Sequence, residues 1–171
     1  TTAAPTTAAP ATTAAPLVPE SGMAASQAAV QVLHGVPGAE VDLYVNGKAL
    51  TTGFNTGEIA GPVKLTAGSY DVALFAAQAR APEASSDRTD TPLISQKVTV
   101  GAQPATLVAH LDDKGQPTLT AFKEDLSPVA PGQSRVVLRN LMADGAVDAS
   151  VNGTIVGSIA AGQEVSAVVP A

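Results

Sequence analysis

The sequence predicts an all-β protein built as an antiparallel sandwich. Three observations carry that expectation. From Ala28 onward, apolar and polar residues alternate in short runs, the period of a strand with one face buried. The runs are broken by turn sequences: Pro37-Gly38, Asn46-Gly47, Ala67-Gly68 and Asp112-Asp113-Lys114-Gly115. No helical period of useful length occurs, and 15 Gly and 13 Pro among 171 residues would interrupt most helices.

The first strand falls at Val30–His34, with Val30, Val32 and His34 on one face and Gln31 and Leu33 on the other. In the next, Val41, Leu43 and Val45 alternate with Asp42, Tyr44 and Asn46. Asn46-Gly47 then marks a two-residue hairpin, because both central positions of a type I′ turn need positive φ. Val63 and Leu65 lead to the turn at Ala67-Gly68. Tyr70–Ala76 is the longest apolar strand, with Val72 and Leu74 opposed to Ala73 and Phe75. The segment 80–92 is rich in proline, hydroxyl and charged residues and reads as an exposed loop. Leu93–Val100, Ala105–Leu111 and Pro117–Lys123 supply three further strands.

Composition excludes several classes of function. Without cysteine the chain has no disulfide scaffold, thiolate metal site or cysteine nucleophile. Two histidines cannot build a three-histidine metal centre. A formal charge of -6 with scattered Lys and Arg argues against nucleic acid as a partner. No apolar run approaches the roughly 18 residues of a membrane-spanning helix.

Residues 1–27 read as a stalk or linker. The first 16 contain 6 Thr, 7 Ala and 3 Pro, with no charge. Fully extended in the polyproline conformation they would reach about 50 Å at ~3.1 Å per residue. Clustered Thr beside Pro is also the composition of O-glycosylated spacers, which makes Thr1, Thr2, Thr6, Thr7, Thr12 and Thr13 candidate acceptors. Alternatively the segment is a free tail, or lies in a groove of a neighbouring subunit. The chain begins without Met and without a cationic-then-apolar leader, as a mature exported chain or a trimmed one would. A Thr/Ala/Pro stalk ahead of an acidic β-rich module points to a secreted or cell-surface location.

The sequence also repeats itself. Val32-Leu33-His34 followed by Val41-Asp42-Leu43-Tyr44-Val45-Asn46-Gly47 returns as Val137-Leu138-Arg139 followed by Val147-Asp148-Ala149-Ser150-Val151-Asn152-Gly153. In this alignment the loops between the two parts differ by one residue, and His34 falls on Arg139. Ser127–Gly132 then joins a β-sandwich domain at 28–126 to a second, shortened β unit at 127–171. The strands from Tyr70 to Phe122 have no second version. Four explanations stay open: a fragment, two copies sharing one structure, a shorter unit whose last strand is 163–169, or a neighbouring chain that supplies the missing strand.

The segment Val30–Gly47, with Val36-Pro37-Gly38-Ala39-Glu40 at its centre, resembles the opening of the DUF4397 family. So does Leu65-Thr66-Ala67-Gly68-Ser69-Tyr70-Asp71-Val72. Glu124–Pro128 followed by Arg135–Asn140 resembles that family's hand-over to a second unit. The resemblance covers about residues 28–171. It implies an exported bacterial β-sandwich protein, often in tandem and often surface-associated, with no catalytic motif to carry over.

The chemistry-bearing residues have plain structural readings. His34 and His110 lie on strands and are expected there with one face wet. Asp112 and Asp113, like Asp87 and Asp90, could hold a hard cation with loop carbonyls. Two acids followed by Lys and Gly suit a solvated hairpin tip better. Asp42 and Asp148 recur in both copies, either facing outward or accepting bonds from a turn. Asn152-Gly153-Thr154 matches a glycosylation sequon, but the turn alone explains its Asn-Gly. Of the five aromatics only Phe54 is expected to be exposed, which disfavours a sugar-binding platform.

The expectation is therefore an immunoglobulin-like antiparallel β-sandwich in tandem with an incomplete second unit. Val32, Val41, Leu43, Val45, Val72, Leu74, Val98, Leu107, Leu119, Val137, Val147 and Val151 would form much of the core. The expected function is non-enzymatic, without cofactor or metal: a structural subunit of an extracellular or cell-surface assembly, such as a filament built by strand addition between subunits. Its partners would be further copies of itself, surface glycans or other surface proteins. The alternative is a monomeric adhesion or ligand-binding module on a glycosylated stalk, binding through the loop at 80–92.

Overall fold

The computed structural model describes residues 27–171, and those residues are almost entirely β. Strands β1 (Gln27–His34), β2 (Val41–Val45), β3 (Lys48–Phe54), β4 (Ile59–Thr66), β5 (Gly68–Ala76), β6 (Ile94–Val100), β7 (Ala105–Leu111) and β8 (Pro117–Lys123) form the N-terminal half. They make two four-stranded sheets, ordered β4-β1-β7-β8 and β3-β2-β5-β6. All neighbours are antiparallel except β1 and β7, which run parallel. The two sheets share one apolar core. Val30, Val32, Leu107, Ala109 and Leu119 of one meet Val41, Leu43, Val72, Leu74 and Val98 of the other, all at most 5 % exposed. The alternation that singled out these residues is the physical reason for the sandwich: each strand turns every second side chain inward.

The C-terminal half contains β9 (Gln133–Arg139), β10 (Val147–Val151), β11 (Thr154–Ile159) and β12 (Glu164–Pro170). Among the described residues β9 pairs only with β12, and β10 only with β11, so the half consists of two two-stranded ribbons. The ribbons lean on each other: a Cβ at Gly157 would sit 3.2 Å from Val165. Both Asn-Gly hairpins form as expected. Asn46 and Gly47 have φ of 49° and 80°, Asn152 and Gly153 of 51° and 79°.

The core expectation holds for the first half except at Val45, which is half-buried where β2 enters its hairpin, and fails for the second. Val147 and Val151 are only half-buried, because β10 and β11 form a two-stranded ribbon rather than a four-stranded sheet. Val137 is half-buried on the face that carries Arg135 and Arg139; the inward positions of β9 are Val136 and Leu138, opposite Ala167 and Val165 of β12.

The segment 80–92 is not simply an exposed loop. It folds over the outer face of the sheet containing β2. The Arg88 and Asp42 side chains are both fully buried, with Arg88 Nη1 2.7 Å from Asp42 Oδ2. Arg88 also donates to both oxygens of Asp90 and to the Ala76 carbonyl. Its guanidinium lies 4.6 Å from the centre of the Phe75 ring. Asp42 accepts two further bonds, from the backbone N–H groups of Gly53 and Gln78, at 3.0 and 3.1 Å. The Tyr44 hydroxyl donates to Pro82 O at 2.7 Å. The loop thereby seals the aromatic outer face formed by Tyr44 and Phe75.

Each half of this ion pair is affordable only with the other present. Arg88→Ala would strand a fully buried carboxylate with two N–H donors and no cation. We expect it to cost about 3–5 kcal/mol of unfolding free energy. Arg88→Met with Asp42→Asn should cost clearly less than the sum of the two single changes. Urea denaturation of Arg88→Ala and of the four proteins of this cycle checks both outcomes.

Candidate functional site

The site candidates lie where the two halves meet and on the open side of the C-terminal half. Strand β7 is buried on both of its faces. Leu107 and Ala109 point into the sandwich, while Thr106, Val108 and His110, at 4, 0 and 2 % exposure, point the other way. The C-terminal half covers this second face. Leu141 reaches within 3.2 Å of where a Cβ at Gly35 would stand. Gly162 lies over His110, where an added Cβ would be 2.9 Å from ring atom Cε1. Arg139 places its guanidinium 4.7 Å from the centre of the Phe122 ring and donates to Glu124 at 2.8 Å and Glu164 at 2.9 Å. Glu124 also accepts from Thr106 Oγ1 at 2.6 Å. Burial opposes the charge on Arg139, but Glu164 and Glu124 outweigh it and raise its pKa.

Beside this seam is an open cleft of about 480 Å³. His110, Thr118, Thr120 and the hairpin tip Asp112–Asp113 line one wall; residues 145–146 and 160–163 line the other. His110 is buried here rather than wet on one face. Its Nδ1 donates to the Leu111 carbonyl, and its Nε2 accepts from Thr120 Oγ1, both at 2.8 Å. The partner of Nδ1 is a backbone carbonyl, whereas a catalytic triad would place a carboxylate there. Asp112 Oδ1 is already committed to the N–H groups of Gln116 and Lys114, which hold its carboxyl below the ordinary range. Among the described residues no buried side-chain polar atom lacks a hydrogen-bond partner. No buried polar group is therefore left unpaired in the cleft, and its free charge is the exposed Asp113 at the hairpin tip.

The remaining sequence candidates separate. His34 is also fully buried, against the expectation of a wet face. Its Nε2 donates to Ala39 O at 2.8 Å and its Nδ1 receives the Val36 N–H at 3.4 Å. It therefore staples the loop after β1. In the C-terminal half Asn140 does the same work: Nδ2 donates to Gly145 O at 3.1 Å and Oδ1 accepts from Met142 N at 3.0 Å. The bonds of Asn140, not those of Arg139, match those of His34, and the segments 35–40 and 141–146 that follow before β2 and β10 are equal in length. The sequence alignment favoured Arg139 because it matched Val32-Leu33 to Val137-Leu138; the hydrogen bonds shift that match by one.

Asp42 and Asp148 part company, since Asp42 is buried and Asp148 exposed. Asp90 is not a solvated tip: the Arg88 side chain holds its carboxyl below the ordinary range. Phe54, expected on the surface, is 3 % exposed and lies 5.5 Å from the His34 ring. Among the described residues no group of three His, Asp or Glu could hold a metal ion, and no helix is long and apolar enough to cross a membrane. Asn152 and Thr154 are exposed on their hairpin. The stalk threonines Thr1, Thr2, Thr6, Thr7, Thr12 and Thr13 lie outside the described residues.

The family model "Domain of unknown function (DUF4397)" matches residues 28–150, from the start of β1 into β10. The chain belongs to the DUF4397 family. No curated protein matches it. In this DUF4397 chain the match crosses the link between β8 and β9, so it takes in Arg139 and Leu141 of the seam but not Gly162 or Glu164.

Acid should loosen this DUF4397 fold in a defined window. The carboxyls of Asp90, Asp112 and Asp125 all titrate below the ordinary value of 3.8 when folded. The unfolded chain therefore binds more protons as pH falls, and stability drops. It should be fully present above about pH 5 and decline progressively below about pH 4. Urea midpoints measured from about pH 6 to about pH 3 should show this fall. The fall should be shallower in Asp90→Asn, which no longer titrates at that position.

Proposed function

We propose that this chain is a non-enzymatic structural subunit of an extracellular or cell-surface assembly, joined to its neighbours by β-strand addition at its C-terminal half. The observation that carries the reading is that β9 and β10 each have one strand neighbour among the described residues, whereas β1 and β2 have two. On this reading the N-terminal half is an immunoglobulin-like sandwich and the C-terminal half is a second copy of its first four strands. The pairing supports the repeat: β9 joins β12 and β10 joins β11, as β1 joins β4 and β2 joins β3.

The second copy leaves its apolar face poorly covered. Val30, Val32 and Val41 are 1–3 % exposed, while Val136, Leu138, Val147 and Val165 are only half-buried. Full burial of a valine or leucine from full exposure contributes about 1.5–3 kcal/mol, so covering the remaining half of these four would contribute roughly twice that. An added strand would also satisfy the open backbone groups along β9 and β10. Head-to-tail addition would give a filament; addition of like edges would give pairs. The acidic Thr/Ala/Pro-led composition supports an exported location, with the stalk threonines as glycan acceptors.

A ligand-binding module is the second reading, and the cleft beside His110 is what favours it. The loop at 80–92 is a weaker binding element than its sequence suggested, because Arg88 at its centre is consumed by Asp42 and Asp90. Light scattering after size exclusion decides between the readings. The structural reading expects oligomers whose proportion rises with concentration. A folded monomer at high concentration would overturn it and leave the module.

A further inference from the structure

We infer that an apolar slot at one corner of the N-terminal sandwich is filled by the residues that lead into β1, with the Met23 side chain as its plug. The slot has a volume of about 60 Å³ and is walled by apolar side chains. Val30, Val72 and Leu107 form its floor and are at most 3 % exposed. The other walls are less well covered. Val63 and Leu65 are half-buried there, and Leu50 is 38 % exposed.

The slot follows from unequal strand lengths. The β2–β3 hairpin turns at Asn46-Gly47, where Asn46 N donates to Asp71 O at 2.7 Å. β5 and β6 run on past that level, pairing Tyr70 with Val98, Ser69 with Thr99 and Gly68 with Val100. In the other sheet β1 and β4 also run on, as far as Gln27 opposite Thr66. Along this corner β1 and β4 therefore outreach the hairpin that should face them. Ala28 and Val30 turn inward here, opposite Leu65 and Val63. β2 and β3 answer with Val45 and Leu50, and a gap is left between the sheets.

The residues that precede β1 join the sandwich at this same corner. Gln27 pairs with Thr66, next to the pair of Ala28 with Leu65. Met23 stands four residues before Gln27. Four residues span up to about 14 Å, and neighbouring strands lie only about 4.8 Å apart, so the slot is within reach. Among residues 1–26 the apolar side chains larger than proline are Leu17, Val18 and Met23, and Met23 is the nearest. Gly22 before it permits the chain to turn back, and Ala24, Ala25 and Ser26 after it are small. The unbranched thioether of methionine suits an irregular gap. Water is a poor filler, because an apolar hole offers it no partners.

The plug gives the Thr/Ala/Pro stretch a fixed point of departure. With Met23 seated, residues 1–16 leave the sandwich beside the β2–β3 hairpin rather than from the tip of β1. The inference concerns the N-terminal half alone and stands whether or not the chain assembles.

The chain has two methionines, and Met142, at 56 % exposure, serves as the internal reference. In the 171-residue chain with isotope-labelled methionine methyls, the Met23 methyl should show nuclear Overhauser contacts to the methyls of Val30 and Leu65. Peroxide should oxidise Met23 several-fold more slowly than Met142, and the two rates should converge in urea. The chain has no cysteine, so introduced thiols report cleanly. On mild oxidation Met23→Cys with Leu50→Cys should form a disulfide within one chain. Met23→Cys with Ile59→Cys, at the far end of β4, should not. A disulfide that instead joins two chains would make a second copy the occupant. A Met23 oxidised as fast as Met142 and without those methyl contacts would leave the slot to a small apolar molecule. Either result overturns the plug.

Discussion

A β-strand carries hydrogen-bonding groups along both of its edges and side chains on both of its faces, and a ribbon of two strands can satisfy only half of each. The C-terminal half of this DUF4397 chain depends on that constraint. β9 and β10 are each paired on one edge, and the face they share with β11 and β12 is only half-buried. The N-terminal half has met the same constraint from within, by placing β5 and β6 beside β2, and β7 and β8 beside β1. The described residues therefore hold two four-stranded sheets that share a core and two two-stranded ribbons.

The seam between them adds a second consequence. Covering the outer face of β7 buries Thr106, Val108 and His110, which would otherwise be ordinary surface residues of a sandwich. Arg139 is central here, because it bridges Glu124 near the end of the first half to Glu164 at the start of β12 while lying against Phe122. A charged residue half-buried in this way needs its partners, and they come from two distant segments, Phe122 with Glu124 and Glu164 on β12. The seam thus gives the C-terminal frame a fixed base and leaves its flank open.

Much of the fold was legible because it is local. Alternation marked β1, β2, β5, β7 and β8, and the two Asn-Gly pairs fixed hairpins through a backbone requirement that belongs to those two residues alone. The parts that were not legible are non-local. Arg88 meets Asp42 across 46 positions, and nothing in a proline- and charge-rich loop announces that its central cation is buried. Phe54 looked exposed because, unlike the other four aromatics, it fell outside the expected strands; it ends β3 and is covered by contact with His34. The recurring sequence pattern was visible, but which residues of β9 face inward was not. Val136 and Val137 are identical side chains, and only the bonds made by Asn140 reveal which of them faces inward.

The central claim is that the flank formed by β9 and β10 is completed by another chain. Amide hydrogen exchange in residues 133–139 and 147–151, followed as the protein is diluted, tests it most directly. The account predicts strong protection at high concentration that fades on dilution, while β1, β2, β5 and β7 stay protected throughout. Protection of β9 and β10 that matched the N-terminal strands at every concentration would contradict it.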